Sequence, residues 1–159
     1  STLGLLLGCS EADDELRFVA GNVIVGFKQE VTLRQAYEFA RANSNEIGYV
    51  HGLFYFSNLP NDSLNYVAQA FVKAGFSDKV VRIGLVSNRI EIIMGYNIDE
   101  DKSTISNWID LIENPVLKIE AMQNYKSMLL YIEPGTERQW VKTHEGNALV
   151  RYIELDYYF

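Results

Sequence analysis

The sequence predicts an α+β fold, with a ferredoxin-like βαββαβ first part followed by a helix and a mostly antiparallel β-sheet. Three observations support this prediction. Strand-like and helix-like patterns alternate in the first part, β-forming runs dominate the later part, and apolar residues make up 48% of the 159 residues. This apolar fraction is enough for a buried core, so the chain should fold rather than stay disordered.

The first strand is predicted from Asn22. Residues 22–27 carry apolar side chains at alternate and at intervening positions, which is typical of a strand that is apolar on both faces. Thr32 and Gln35 then form a capping box, in which each side chain bonds the backbone N–H of the other residue at a helix start. One apolar stripe follows at helical spacing, formed by Leu33, Ala36, Tyr37 and Ala40.

A second strand and a second helix complete the βαββαβ order. Residues 46–57 predict one long aromatic strand, which a bend near Gly52 would divide into two. Pro60 begins a turn, and Gly75 suits the position after the C-terminus of the helix that follows. The apolar stripe of this helix consists of Leu64, Val67, Phe71 and Ala74. Residues 79–85 are the last strand of the order.

One further helix is predicted after a hairpin. Ser87 and Asn88 form the turn, and residues 89–96 form the strand after it. Ser103 is the expected cap of the third helix, which Pro115 prevents from continuing. The stripe of this helix consists of Ile105, Trp108, Ile109 and Ile112.

The rest of the chain predicts strands only. Hairpin turns are expected at Pro134-Gly135 and at residues 145–147. The strands are expected at residues 116–122, 126–133, 138–144 and 148–159. No linker separates residues 22–97, the ferredoxin-like unit, from residues 98–159. One compact domain and two packed subdomains are therefore both compatible with the sequence.

The chain begins with an apolar run that stops at its one cysteine, Cys9. The residues Leu6-Leu7-Gly8-Cys9 resemble the lipobox of bacterial lipoproteins, although many lipoboxes have Ala, Ser or Thr in place of Leu7. The resemblance implies that Cys9 is the lipid-attachment residue and that residues 1–8 are the remnant of a signal peptide. A single cysteine also excludes an internal disulfide.

Residues 9–21 predict an acidic tether after the lipid. Within it, Ala12-Asp13-Asp14 resembles the signal that sends some lipoproteins of Bacteroidetes-type bacteria to the cell surface, an ordinary solvated linker being the alternative. A charged tether stays in solvent and holds the folded part away from the membrane. Together these resemblances imply a cell-envelope protein that Cys9 anchors to the outer membrane, on its periplasmic or surface side.

A second resemblance concerns the first predicted strand. Residues 24–29, Ile-Val-Gly-Phe-Lys-Gln, resemble the first strand of subtilisin-type propeptides, a family that inhibits those proteases and assists their folding. The resemblance covers residues 23–83 in the order of their elements. Family inhibitors end in a free extended tail that occupies the protease cleft, whereas this chain runs on into another strand. We therefore carry over no functional residue from this family.

The residues that could carry chemistry form no catalytic or metal-binding motif. His51 falls in a predicted strand and His144 beside a predicted turn, so a structural or exposed role is expected for each. Asp99, Glu100 and Asp101 lack the glycine and the distal glutamate of a calcium loop, which favours a solvated loop before the third helix. We expect no catalytic residue, no cofactor and no metal.

The expected function is inferred from the net charge of the chain and from its content of aromatic residues. The formal charge of −7 disfavours nucleic acid as a partner. Aromatic residues, which are enriched in binding surfaces but also pack in cores, crowd two regions. These are Tyr49, Phe54, Tyr55, Phe56, Tyr157, Tyr158 and Phe159. We expect a non-catalytic module that binds a protein or peptide of the envelope. A propeptide-like inhibitor or folding assistant, a small envelope hydrolase and a structural subunit of a surface assembly are the alternatives.

Overall fold

The computed structural model describes residues 17–51, 54–76, 81–94, 102–122 and 126–158. Within these ranges the chain is α+β, as the sequence predicts. Its elements are β1 (Phe18–Phe27), α1 (Leu33–Asn43), β2 (Glu46–His51), β3 (Phe54–Ser57), α2 (Leu64–Lys73), β4 (Val81–Val86), β5 (Arg89–Met94), α3 (Lys102–Ile112), β6 (Ile119–Ala121), β7 (Lys126–Tyr131), α4 (Glu137–His144) and β8 (Val150–Tyr157). A short 3₁₀ turn, Asn61–Ser63, leads into α2.

Several predictions fall outside the described ranges and stay predictions. They concern Cys9, residues 1–8, the first part of the tether, Gly52, Asp99, Glu100, Asp101 and Phe159. The described chain starts within the predicted tether, and β1 begins at Phe18 rather than at Asn22. Residues 18–21 therefore belong to a strand and are held by the sheet.

The described strands form two antiparallel sheets of four strands each. The order is β2-β7-β1-β8 in sheet 1 and β4-β5-β3-β6 in sheet 2. The βαββαβ order of the first part is present, but β1 and β2 lie in sheet 1 whereas β3 and β4 lie in sheet 2. Each sheet also takes strands from the second half of the chain, because β1 pairs with β7 and β8, and β3 pairs with β6. The strands of residues 22–97 therefore do not complete either sheet without strands from the second half of the chain.

The division between the sheets falls within the predicted long strand. β2 ends at His51 and β3 begins at Phe54, so the expected break of residues 46–57 into two strands is confirmed. β2 pairs with β7 and β3 pairs with β5, so the two pieces belong to different sheets. Each piece still buries apolar side chains, Ile47 and Val50 in β2 and Tyr55 in β3.

The prediction of a strand at residues 138–144 is wrong, because Glu137–His144 form the helix α4. Its buried residues, Glu137 and Trp140, stand three positions apart, which places them on one face of a helix and on opposite faces of a strand. The expected turns at Pro134-Gly135 and residues 145–147 are present, but they flank α4 and do not connect hairpin strands.

The predicted strand at residues 116–122 shortens to Ile119–Ala121, because residues 115–117 form a turn and Lys118 adopts a positive φ of 50°. The predicted cap of the third helix is also displaced. The helix α3 begins at Lys102, so Ser103 lies inside it and not before it. In both places the element exists and only its boundary differs from the prediction.

Three of the predicted local signals are confirmed: the capping box of α1, the glycine after α2 and the turn between β4 and β5. The Thr32 hydroxyl accepts a bond from the Gln35 N–H at 3.1 Å, and the Gln35 side chain accepts one from the Thr32 N–H at 2.9 Å. Gly75 follows α2 with a φ of +96°. Ser87 and Asn88 have φ of 50° and 67°, as a tight turn between twisted antiparallel strands requires.

One cluster of buried apolar side chains joins the helices to both sheets. Trp108 of α3 is fully buried. Its ring centroid lies 6.1 Å from that of Tyr55, 5.4 Å from Phe71 and 5.2 Å from Phe76. These rings meet edge to face, which is the favoured geometry for aromatic pairs. They pack α2 and α3 against the inner face of sheet 2.

Candidate binding surface

The inner face of sheet 1 is the one that the helices cover. Val23, Val25 and Phe27 of β1 are fully buried there. The ring centroid of Phe27 lies 5.8 Å from that of Phe39 on α1. The ring centroid of Phe39 in turn lies 6.3 Å from that of Trp140 on α4. Because side chains alternate along a strand, the intervening residues of these strands point to the opposite face.

We call that opposite face the tyrosine face. It is formed by Glu46, Tyr49 and His51 of β2, Ser127, Leu129 and Tyr131 of β7, Asn22, Ile24 and Gly26 of β1, and Tyr152, Glu154 and Asp156 of β8. Tyr49 and Tyr131 are half-buried and Tyr152 is 41% exposed. The face therefore presents aromatic surface to solvent from three of its four strands.

Glycines allow the tyrosine rings to lie close to the backbone. A Cβ on Gly26 would overlap the ring of Tyr152. A Cβ on Gly48, in the bulge of β2, would lie 2.8 Å from Cζ of Tyr131 and 2.9 Å from Cδ2 of Leu129. Both distances are too short for any residue with a side chain. The missing side chains thus create the space that the rings occupy.

The phenol of Tyr49 is kept neutral by its surroundings on the tyrosine face. Burial raises the pKa of the Tyr49 phenol, and the negative charge of Asp156 raises it further. Asp156 is itself held in place, because its Oδ2 accepts a bond of 2.9 Å from Nδ2 of Asn22. The Tyr49 hydroxyl is therefore a neutral hydrogen-bond donor at physiological pH.

The two histidines lie on opposite sides of sheet 1. On the tyrosine face, the ring centroid of His51 is 4.3 Å from that of Tyr49. On the other side, His144 at the end of α4 lies 4.3 Å from Trp140 and 5.6 Å from Phe39. Burial lowers the pKa of both imidazoles. Each histidine is thus an uncharged packing partner at neutral pH, and the two form no pair.

The tyrosine face carries negative charge only. Its twelve positions include Glu46, Glu154 and Asp156 and contain no lysine or arginine. Across the residues that the structure describes, no group of three or more His, Cys, Asp and Glu side chains could hold a metal ion. The face thus combines carboxylates with aromatic rings, two kinds of group that attract cations.

The aromatic residues singled out in the sequence separate into different environments. Tyr49 lies on the tyrosine face, whereas Tyr55 is buried in the core at 4% exposure and Tyr158 is 61% exposed after β8. Sequence reasoning missed Tyr131 and Tyr152 as partners of Tyr49. Their alternation with buried positions was visible, but the pairing of the strands β2, β7, β1 and β8 was not.

The chain matches no protein-family model, and neither the curated proteins nor the solved structures provide a significant match. No helix in the described part of the chain is long and apolar enough to cross a membrane. The tyrosine face is therefore the feature of the molecule from which a function can be inferred.

Proposed function

We propose that the chain is a non-catalytic binding module whose tyrosine face holds a protein or peptide segment rich in lysine and arginine. The observation that carries the proposal is the strand register, which places Tyr49, Tyr131 and Tyr152 on the same face of sheet 1 as the carboxylates of Glu46, Glu154 and Asp156. An aromatic ring attracts a cation over its face by about 0.5–2 kcal/mol, depending on desolvation. Carboxylates beside the rings add charge attraction and hydrogen bonds to the same cation.

The chemistry of the face suits a flat, extended ligand. Tyr152 offers the most exposed ring, and Glu154 and Asp156 stand on the same strand to accept bonds from a guanidinium or ammonium group. The Tyr49 hydroxyl stays protonated and can donate to a peptide carbonyl. Because the rings rest against the backbone at Gly26 and Gly48, little side-chain entropy is lost on binding.

We further propose that this module works in the bacterial cell envelope, anchored by lipid on Cys9. This part of the proposal depends only on the sequence Leu6-Leu7-Gly8-Cys9. Expression of the full chain in a Gram-negative host, followed by intact-mass measurement of the membrane fraction, tests it. A diacylglyceryl or triacyl adduct beginning at Cys9, absent from C9S, is the expected result. An unmodified chain that keeps residues 1–8 would contradict it.

The binding proposal is tested by fluorescence anisotropy with labelled hexa-arginine and hexa-glutamate at physiological ionic strength. We expect binding of hexa-arginine only. The variant Y152S should weaken it about threefold to tenfold, the equivalent of one cation–π contact. Tyr66 on α2 is 56% exposed, so Y66S removes a comparable phenol elsewhere and should leave the affinity unchanged.

Two results would overturn the binding proposal. Equal affinities of Y152S and Y66S would show that hexa-arginine responds only to the net charge of the chain. Binding of a neutral glucan oligosaccharide that Y152S abolishes, without binding of hexa-arginine, would assign the face to sugars. In both cases far-UV circular dichroism of the variants must match the wild type, so that unfolding does not imitate lost binding.

A further inference from the structure

A cavity of about 290 Å³ opens away from the tyrosine face, on the inner side of sheet 1, where β7 begins. Its wall is largely apolar, and it lies between α1, α3 and β3. The lining that matters here consists of Val31, Leu33, Tyr55, Ile109, Ile112 and Lys126. The volume is at the lower end of the range of small-molecule sites, so the occupant must be small.

Lys126 breaks the apolar pattern of its strand. It stands on the same face of β7 as Met128 and Leu130, which are fully buried, and is itself only 8% exposed. No carboxylate of the described residues lies within ion-pairing distance of its Nζ, and Glu30 attracts it from farther away. Burial lowers the pKa of the ammonium, as expected for a charge without a close partner. A buried ammonium that lines an apolar cavity favours the binding of an anion there.

The other polar groups of the cavity are of both signs. Gln29 and the carboxylate of Glu30 line it, and Glu30 stands beyond ion-pairing distance of Lys126. Thr32 and Leu33 bring the N-terminus of α1 to the wall, where the helix dipole favours negative charge. Glu113 also lines the cavity, but its carboxylate is bound by Arg34 at 2.8 Å. Glu113 is therefore paired with Arg34, whereas Lys126 has only the more distant Glu30.

We propose that this cavity binds a small organic anion with an apolar body, such as an alkyl or aryl carboxylate. The carboxylate meets the ammonium of Lys126, and the apolar body lies against Val31, Ile109 and Ile112. The site is distinct from the tyrosine face, which is on the other side of sheet 1. Its existence does not depend on the peptide-binding proposal.

The test compares three ligands of one size by titration in ¹H–¹⁵N correlation spectra: hexanoate, hexan-1-ol and hexylamine. We expect hexanoate to bind about tenfold more tightly than hexan-1-ol, and hexylamine not to bind. The shifted amides should include those of Val31 and Leu33. In K126M, which keeps an apolar stem of similar length, hexanoate should lose this advantage. In K73M, which removes an exposed lysine at the end of α2, it should not.

A second variant tests the cavity without changing Lys126, so that the conclusion does not depend on the folding of K126M alone. I112W narrows the cavity from its half-buried rim and should weaken hexanoate and hexan-1-ol alike. Equal affinity of the wild type for hexanoate and hexan-1-ol would overturn the proposal, as would preference for hexylamine. Retention of the hexanoate preference in K126M, or no binding of any of the three ligands, would also overturn it.

Discussion

The Glu137 carboxylate accepts a hydrogen bond of 2.6 Å from the backbone N–H of Gly21, which lies 116 residues earlier in the chain. Its two oxygens also accept from the N–H of Gly135 at 3.0 and 3.1 Å. Glu137 is only 4% exposed, so these bonds replace its water. Gly21 has a φ of +82°, a conformation that suits glycine. The contact therefore fixes α4 to an irregular position in β1.

The first prediction is that E137Q destabilises the fold. An amide keeps one acceptor oxygen but turns an NH₂ group toward backbone N–H donors, so at least one buried donor loses its partner. We expect a loss of about 1–3 kcal/mol in the free energy of unfolding, measured by urea denaturation. E133Q changes an exposed glutamate nearby and serves as the control. A similar small effect in both variants would contradict the structural role of Glu137.

The second prediction concerns the pH dependence of the same contact. Burial by itself would raise the pKa of Glu137, but the N–H bonds from Gly21 and Gly135 and the charge of Arg138 lower it below the ordinary 4.5. The folded state thus holds this proton less tightly than the unfolded state. The stabilising contribution is fully present above pH 4.5 and is lost as the pH falls through the lower folded pKa.

The measurement is the difference in unfolding free energy between the wild type and E137Q from about pH 3 to about pH 7. This difference should be constant near neutral pH and should shrink in acid. A difference that grows in acid would mean that the protonated form of Glu137 is the stabilising one, in conflict with the observed donors.

The third prediction concerns the support of the tyrosine face. G26A should displace the ring of Tyr152, because the added Cβ would occupy its position. We expect a loss of about 1–3 kcal/mol in stability, as for other overpacked sites, together with weaker binding of a basic peptide. Gly84 in β4 has open space around its Cα, so G84A is the matched control and should be close to neutral. Equal changes in stability in G26A and G84A would show that the effect comes from the strand propensity of alanine and not from displacement of the Tyr152 ring.

The features that the sequence predicts correctly depend on neighbouring residues. The capping box needs only Thr32 and Gln35, three positions apart, and the turn at Ser87 and Asn88 needs only two residues between strands. Gly75 ends α2 because glycine tolerates the left-handed conformation. Such signals act through the local backbone, and tertiary contacts do not override them here.

The features that the sequence does not reveal depend on distant residues. The helix α4 has only eight residues, too few to be stable alone, and the contact of Glu137 with Gly21 holds its first turn. The break between β2 and β3 is predicted, but their assignment to different sheets depends on pairing with β7 and β5, which no local pattern encodes. The tyrosine face is hidden for the same reason, since Tyr49 and Tyr152 become neighbours only after four strands pair.

The last prediction concerns Tyr55, which lines the cavity beside Lys126. Burial raises the pKa of its phenol to about 12. The indole of Trp108 offsets this increase in part, although its Nε1 has no hydrogen-bond partner among the described residues. The folded state therefore favours the protonated phenol. Its contribution to stability is present below the ordinary pKa of 10.0 and is lost as the pH rises through about 12.

Y55F removes this titration, so it should be less sensitive to alkali than the wild type. Unfolding free energies from about pH 8 to about pH 11 should fall more steeply for the wild type than for Y55F. Y66F, which removes an exposed hydroxyl from α2, gives the baseline for losing a phenol at the surface. If the wild type and Y55F lose stability in parallel, then the folded state does not raise the pKa of the Tyr55 phenol, and its burial beside Trp108 does not exclude water from it.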